Sequence, residues 1–108
     1  MRFLSGAIKT PPFTAAARLE AGRFLGILQQ GGRVGMPHAR PMPSVGPRCL
    51  ELRVPDEDHN WRVMVRPDPD AVLVVDVFAK TTPQTPNPVV AACRTRLARY
   101  DRDMAEGG

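Results

Sequence analysis

The chain is short of the residues that most often announce chemistry. It has two cysteines, Cys49 and Cys93, 44 positions apart, with no CxxC pair and no Cys/His cluster. That spacing suggests neither a zinc site nor a disulfide framework, and reduced thiols are expected, Cys93 in the core. No apolar run reaches the ~18 residues of a membrane helix. Residues Met1 to Ile8 make too weak an apolar stretch for a secretory signal, so a cytoplasmic chain outside the membrane is expected. Internal repeats are absent. Only His38 and His59 have an ordinary pKa suited to proton transfer near neutral pH.

What remains is a small, basic, ordinarily hydrophobic chain of 108 residues with a net charge of +4. That length supports one core, so a single domain over 1–108 is expected, with its core at about 10–103. The charge is unevenly spread. Residues 1–48 carry seven Lys/Arg against one Glu, residues 49–80 four against seven acids, and 81–108 four against three. The middle acids fall mostly in turns, whereas Arg53, Arg62, Arg66 and Lys80 fall on strands. A polyanion or an acidic protein is the expected class of partner.

Periodicity divides the chain. Met1 to Ile8 offers a short first strand. Thr10-Pro11-Pro12 signals a helix start, and Phe13, Ala17, Ala21, Phe24 and Leu28 make one apolar stripe that stops at Gly31-Gly32. A helix of about 17 residues follows from that pattern. Residues 33–48 hold four prolines and predict an extended connection. Leu50, Leu52 and Val54, then Trp61, Val63 and Val65, alternate with other residues as two strands of a hairpin. Val72 to Ala79 is a central strand apolar on both faces. Asn87-Pro88 opens a last helix with Val89, Val90, Cys93, Leu97 and Tyr100 as its stripe, and "DMAEGG" reads as a frayed tail. The fold class is α+β, with a mainly antiparallel sheet of three to four strands, an N-terminal helix and a C-terminal helix.

Alternation places chemistry on the strands. If one face of the hairpin lies under a helix, then Glu51, Arg53, Arg62, Met64 and the Lys80 end of the next strand share an exposed patch on the other. Three cations from three adjacent strands suit a phosphate backbone, with Arg as a fork of donors and Lys as a point charge. Arg48, Arg66 and Thr82 extend that phosphate-binding set. His38, beside Arg40 in "MPHARPMP", is a candidate proton carrier, as is Glu51. The competing reading makes Glu51 a partner that neutralises the arginines. Trp61, on the apolar set, is expected in the core, and His59 at the surface.

Residues "RCLELRV", "WRVMVR" and "VLVVDVFAKTTPQTP", followed by "ACRTRLARYD", resemble the RelE/ParE superfamily of type II toxin–antitoxin toxins, most closely its HigB-like, phage-derived branch. The likeness covers about residues 36–101, where members read "LxELR", "YRV" and "FxKKTxKTP" in that order. It implies the RelE-like fold and a ribosome-dependent mRNA endonuclease without a cofactor or metal, in which the RNA 2′-hydroxyl attacks the adjacent phosphate. The implied partners are a cognate antitoxin with a helix-turn-helix, mRNA on the ribosome, and operator DNA through the antitoxin complex. By position, Arg62 would hold the scissile phosphate, Arg53 would be a second basic group and Lys80 the cation at the mouth of the site. Two lysines of the family pattern are replaced here by Thr81 and Gln84, and Cys49 and Glu51 stand where many relatives have lysine. Those departures keep open a second reading: a ParE-like poison of topoisomerase, or a toxin that has lost catalysis and only binds antitoxin and operator.

Overall fold

The computed structural model describes residues 2–4, 13–57, 59–79 and 84–107. Two of the expected site residues, Lys80 and Thr82, lie outside the described residues, as does the Thr10-Pro11-Pro12 helix signal. The element order is β1 (Arg2–Phe3), α1 (Ala15–Gln29), β2 (Ala39–Pro41), β3 (Leu50–Pro55), β4 (Asn60–Pro67), β5 (Val72–Ala79) and α2 (Asn87–Gly107). Among the described residues the strands form one sheet in the order β1-β5-β4-β3-β2, antiparallel except where β1 runs parallel to β5. This is the α+β arrangement of the RelE-like fold.

The hairpin strands and β5 form where alternation places them. Helix α1 begins later than the proline pair suggests, because Thr14 is its N-cap. The Thr14 hydroxyl accepts from the Ala17 N–H at 3.2 Å and donates to Asp56 in the β3–β4 turn at 2.7 Å, which fixes the helix start to the sheet. Phe13, just outside the helix, meets Trp61 edge-on with ring centroids 5.0 Å apart. Gly31, at φ +80°, turns the chain out of α1 by a left-handed step that glycine takes without a Cβ penalty.

Two regions differ from the expectation. The proline-rich connection contributes an edge strand: Ala39, Arg40 and Pro41 pair with Leu52, Glu51 and Leu50. Pro41 is tolerated because an edge strand has one side on which a missing N–H breaks no ladder bond. The last helix runs on to Gly107, so "DMAEGG" is mostly helical rather than frayed.

The larger difference is in layering. Ala17, Ala21, Phe24 and Leu28 of α1 pack on Leu52, Val54, Trp61, Val63, Val65, Val72 and Val74. On the opposite face Cys93 and Leu97 of α2 pack with Cys49, Met64, Leu73 and Val75. The sheet is therefore covered on both sides, and the face expected to be an open patch is buried over its middle. An irregularity between Met64 and Val65 shifts the β4–β5 register, so that Met64 faces Asp76 and Val65 faces Val74.

Asp56 makes this fold sensitive to acid. Its carboxylate accepts from the Thr14 hydroxyl and N–H, the Glu57 N–H and the Trp61 indole N–H. Hydrogen bonds from Thr14 above all pull its pKa from 3.8 to about 2. A carboxylate depressed in the folded state contributes stability above its unfolded pKa and loses it as pH falls through the folded value. The melting temperature is therefore expected to drop between about pH 4 and pH 2, and to drop less over that window in Asp56→Asn. Thermal melts followed by circular dichroism at stepped pH check this, and equal slopes for both proteins would refute it.

Candidate functional site

The α2-facing side of the sheet carries its charges in a defined register. Arg53 on β3 lies directly across from Arg62 on β4, and Glu51 lies across from Met64. Glu51 is therefore diagonal to Arg62 on the same face. Its side chain is fully buried, that of Arg62 is 14% exposed, and Glu51 Oε1 stands 3.5 Å from Arg62 Nε. The other carboxylate oxygen accepts from the Thr85 hydroxyl, itself buried at the entry to α2. Arg62 Nη1 donates to the Trp61 carbonyl at 3.1 Å.

The two arginines are not fully satisfied by this arrangement. Among the described residues the Nε atoms of both Arg53 and Arg62 are buried with no hydrogen-bond partner. Burial lowers the Arg62 pKa from its ordinary value, Glu51 raises it, and Arg53 lowers it. Like charges directly opposite one another on a sheet repel. Two cations and one carboxylate are thus packed together on the α2-facing side of β3 and β4, with guanidinium donors to spare. Such a place favours an anion of two or more oxygens, which accepts from the fork of one arginine and neutralises the other.

The remaining expected residues lie elsewhere. Arg66, also on this face, is held by Asp68 through Nε and Nη2 at 2.9 Å, and by Asp101 of α2 through Nη1 at 2.9 Å and Nη2 at 2.7 Å. Asp101 and Asp68 raise its pKa, and the group joins the β4–β5 turn to α2. Arg48, at φ 64°, reaches the same Asp68 at 3.2 Å. His38 puts its ring 5.2 Å from that of Phe24, against α1, while its backbone carbonyl accepts from the Arg53 N–H at 2.8 Å. The structure thus brings together Glu51, Arg53 and Arg62, and sets Arg48, Arg66 and the His38 ring apart from them. Asp76 of β5 lies 3.4 Å from Arg96 of α2.

Several residues fall where the sequence places them. Trp61 is core, Tyr100 packs on the α2 cluster, and His59 is exposed and stacks on Trp61 at 5.1 Å. Burial pushes the Cys93 thiol up to about 12 and raises that of Cys49, so neither is a nucleophile. No three His, Cys, Asp or Glu side chains among the described residues are placed to hold a metal. An open groove of about 820 Å³ lies at the other end of the sheet, lined by Leu28, Arg33, Val34, Leu50 and Pro67, away from the paired arginines.

Two members of the site escape a reading by residue type. Thr85 reads as part of a turn, yet its hydroxyl is what meets the buried Glu51 oxygen. Arg40 reads as loop, yet pairing on β2 puts it across from Glu51. Alternation was the available signal for Arg40, since buried Ala39 beside it belongs to the α1 face.

The family model for phage derived protein Gp49-like (DUF891) matches residues 12–98, a span that includes Glu51, Arg53, Arg62 and Thr85. No curated protein and no solved structure gives a significant match. The chain belongs to the Gp49-like phage-derived family, a RelE/ParE-like toxin family of type II toxin–antitoxin systems.

Proposed function

We propose that this chain is a toxin of the HigB-like branch that cuts messenger RNA during translation and is neutralised by a cognate antitoxin. The observation that carries the reading is the Arg53–Arg62 pair, facing each other across β3 and β4, with the Arg53 Nε buried without a hydrogen-bond partner among the described residues and the Arg62 Nε held only by its 3.5 Å ion pair with Glu51. A phosphodiester supplies the oxygens they lack. In the reaction, the RNA 2′-oxygen loses its proton and bonds to the adjacent phosphorus. The bond from phosphorus to the next nucleotide's 5′-oxygen breaks, and that oxygen takes up a proton. The products are a 2′,3′-cyclic phosphate and a 5′-hydroxyl. Arg62 and Arg53 hold the non-bridging oxygens and stabilise the charge that gathers there in the transition state. In this reading Lys80 adds a further cation for the phosphate and Thr82 a hydroxyl donor, both outside the described residues.

Glu51 acts here through Arg62. Fully buried and bonded to Thr85, it fixes the guanidinium instead of meeting the 2′-hydroxyl. The antitoxin is expected to be acidic where it covers residues 1–48, which carry seven bases against one acid, and to bring a helix-turn-helix that links the pair to operator DNA. Induced expression should arrest growth and leave codon-linked cuts in mRNA. Arrest with intact message would overturn the nuclease reading.

A second reading has its own support. Arg66 and Arg48, two cations expected to grip RNA, are tied to Asp68, and Arg66 also to Asp101. With those groups neutralised, the chain suits a toxin that binds without cutting, by poisoning a topoisomerase or by occupying antitoxin and operator alone. DNA-damage signalling without RNA fragments selects the first of these, and absence of toxicity the second.

A further inference from the structure

The paired arginines stand next to a third that the RNA-cutting assignment does not use. Arg40 lies on edge strand β2 directly across from Glu51, so it shares the face of Glu51, Arg53 and Arg62. It is partly exposed, and its side chain makes no hydrogen bond or ion pair with any described residue. On β3 its partner Glu51 is two residues from Arg53, so Arg40 and Arg53 are diagonal neighbours, about 7–8 Å apart between backbones. Arg53 in turn faces Arg62. The three cations follow one another over three adjacent strands, each strand ~4.8 Å from the next. Glu51 lies beneath them, buried and engaged by Arg62 and Thr85.

A single phosphate group engages Arg53 and Arg62 and leaves Arg40 idle. A polynucleotide strand does not, because its phosphates recur at a spacing comparable to the step from Arg53 to Arg40. The edge position of β2 also leaves the strand an open way past Arg40, since among the described residues no further strand follows it in the sheet. We propose that Arg40 is a second phosphate subsite, which binds the phosphate next to the one held by Arg53 and Arg62. The ligand is therefore a single strand with at least two consecutive phosphodiesters, lying across β4, β3 and β2. This rests on the RNA-cutting reading of the same site, and gives that site a direction.

The test is equilibrium binding, so that cutting plays no part. The probe is a ten-nucleotide 2′-O-methyl RNA, which lacks the attacking hydroxyl, titrated by fluorescence anisotropy over a series of salt concentrations. Each phosphate neutralised by a protein cation contributes about 0.7 to the magnitude of the slope of log K against log salt for a single strand. Arg40→Ala is expected to lower the slope by that amount, and Arg40→Lys, which keeps the charge, to preserve it. Replacing one linkage at a time by an uncharged methylphosphonate should weaken the parent at two adjacent linkages, and Arg40→Ala at only one of them. Binding that depends on Arg62 but is indifferent to Arg40 in both measurements overturns this inference and leaves the RNA reading standing. Failure of the parent to bind, or binding indifferent to Arg62, overturns both.

Discussion

Replacing Arg62 by alanine is expected to slow cutting of a ribosome-bound message by roughly 10²–10³-fold, the loss that follows removal of one preorganised donor to a developing oxyanion. The variant also breaks a buried ion pair, since Glu51 is fully buried 3.5 Å from Arg62 Nε. Removing one partner of such a pair costs about 3–5 kcal/mol, so the melting temperature should fall as well. Arg62→Lys separates the two effects. An ammonium keeps the charge beside Glu51 but offers a point in place of a planar fork, so stability should return toward the parent while cutting remains at least tenfold reduced, roughly the worth of one charge-assisted hydrogen bond. Single-turnover cleavage and thermal melts on the same preparations read both. Full cutting by Arg62→Lys would mean that the site needs charge alone, and full cutting by Arg62→Ala would remove Arg62 from the reaction.

The sequence shows Arg62 on the right face because its strand alternates cleanly, Trp61, Val63 and Val65 against Arg62 and Met64, and both hairpin strands have one wholly apolar set. For the other face, the run Val72 to Ala79, apolar on both sides, points to cover at β5, but the alternation of the hairpin strands does not extend that cover to them. Met64 is the clue: a large apolar residue among the charged set needs its own cover, which Cys93 and Leu97 of α2 provide. The same covering decides the fate of three charges. Arg66 is close enough to α2 to be claimed by Asp101, Glu51 sinks beneath the surface onto Thr85, and Arg62 is left facing Arg53 with Glu51 as its ion-pair partner. Distances of that kind depend on where α2 is laid down, its Asp101 lying 35 residues along the chain from Arg66, and strand periodicity carries no information about it. The edge strand was hidden for a different reason. Its three residues include a proline, too few and too broken to register as a period of two, and only the ladder with β3 identifies them.

Glu51→Gln is expected to strengthen anion binding and weaken cutting at the same time. The amide keeps the volume of the buried side chain and retains an oxygen to accept from Thr85, so the fold should lose only about 1.5–3 kcal/mol, the worth of a hydrogen bond to a charged group. What it removes is the negative charge diagonal to Arg62. Two guanidinium groups then face each other across β3 and β4 with less to offset their repulsion, and a bound phosphate or sulfate relieves more of it than in the parent. Inorganic phosphate should therefore raise the melting temperature of Glu51→Gln by more than that of the parent. Cutting should decline, because Arg62 loses the group that holds its guanidinium in place, and a misplacement of about 1 Å is enough to cost 10²-fold. Thr85→Val, which removes the hydroxyl from the other side of the same carboxylate, should lower cutting in the same direction without the gain in phosphate binding. If Glu51 instead carried the proton, Glu51→Gln would abolish cutting outright and Thr85→Val would spare it. The pair of variants, assayed for phosphate-dependent melting and for single-turnover cleavage, thus distinguishes a carboxylate that positions an arginine from one that takes the 2′-hydroxyl proton.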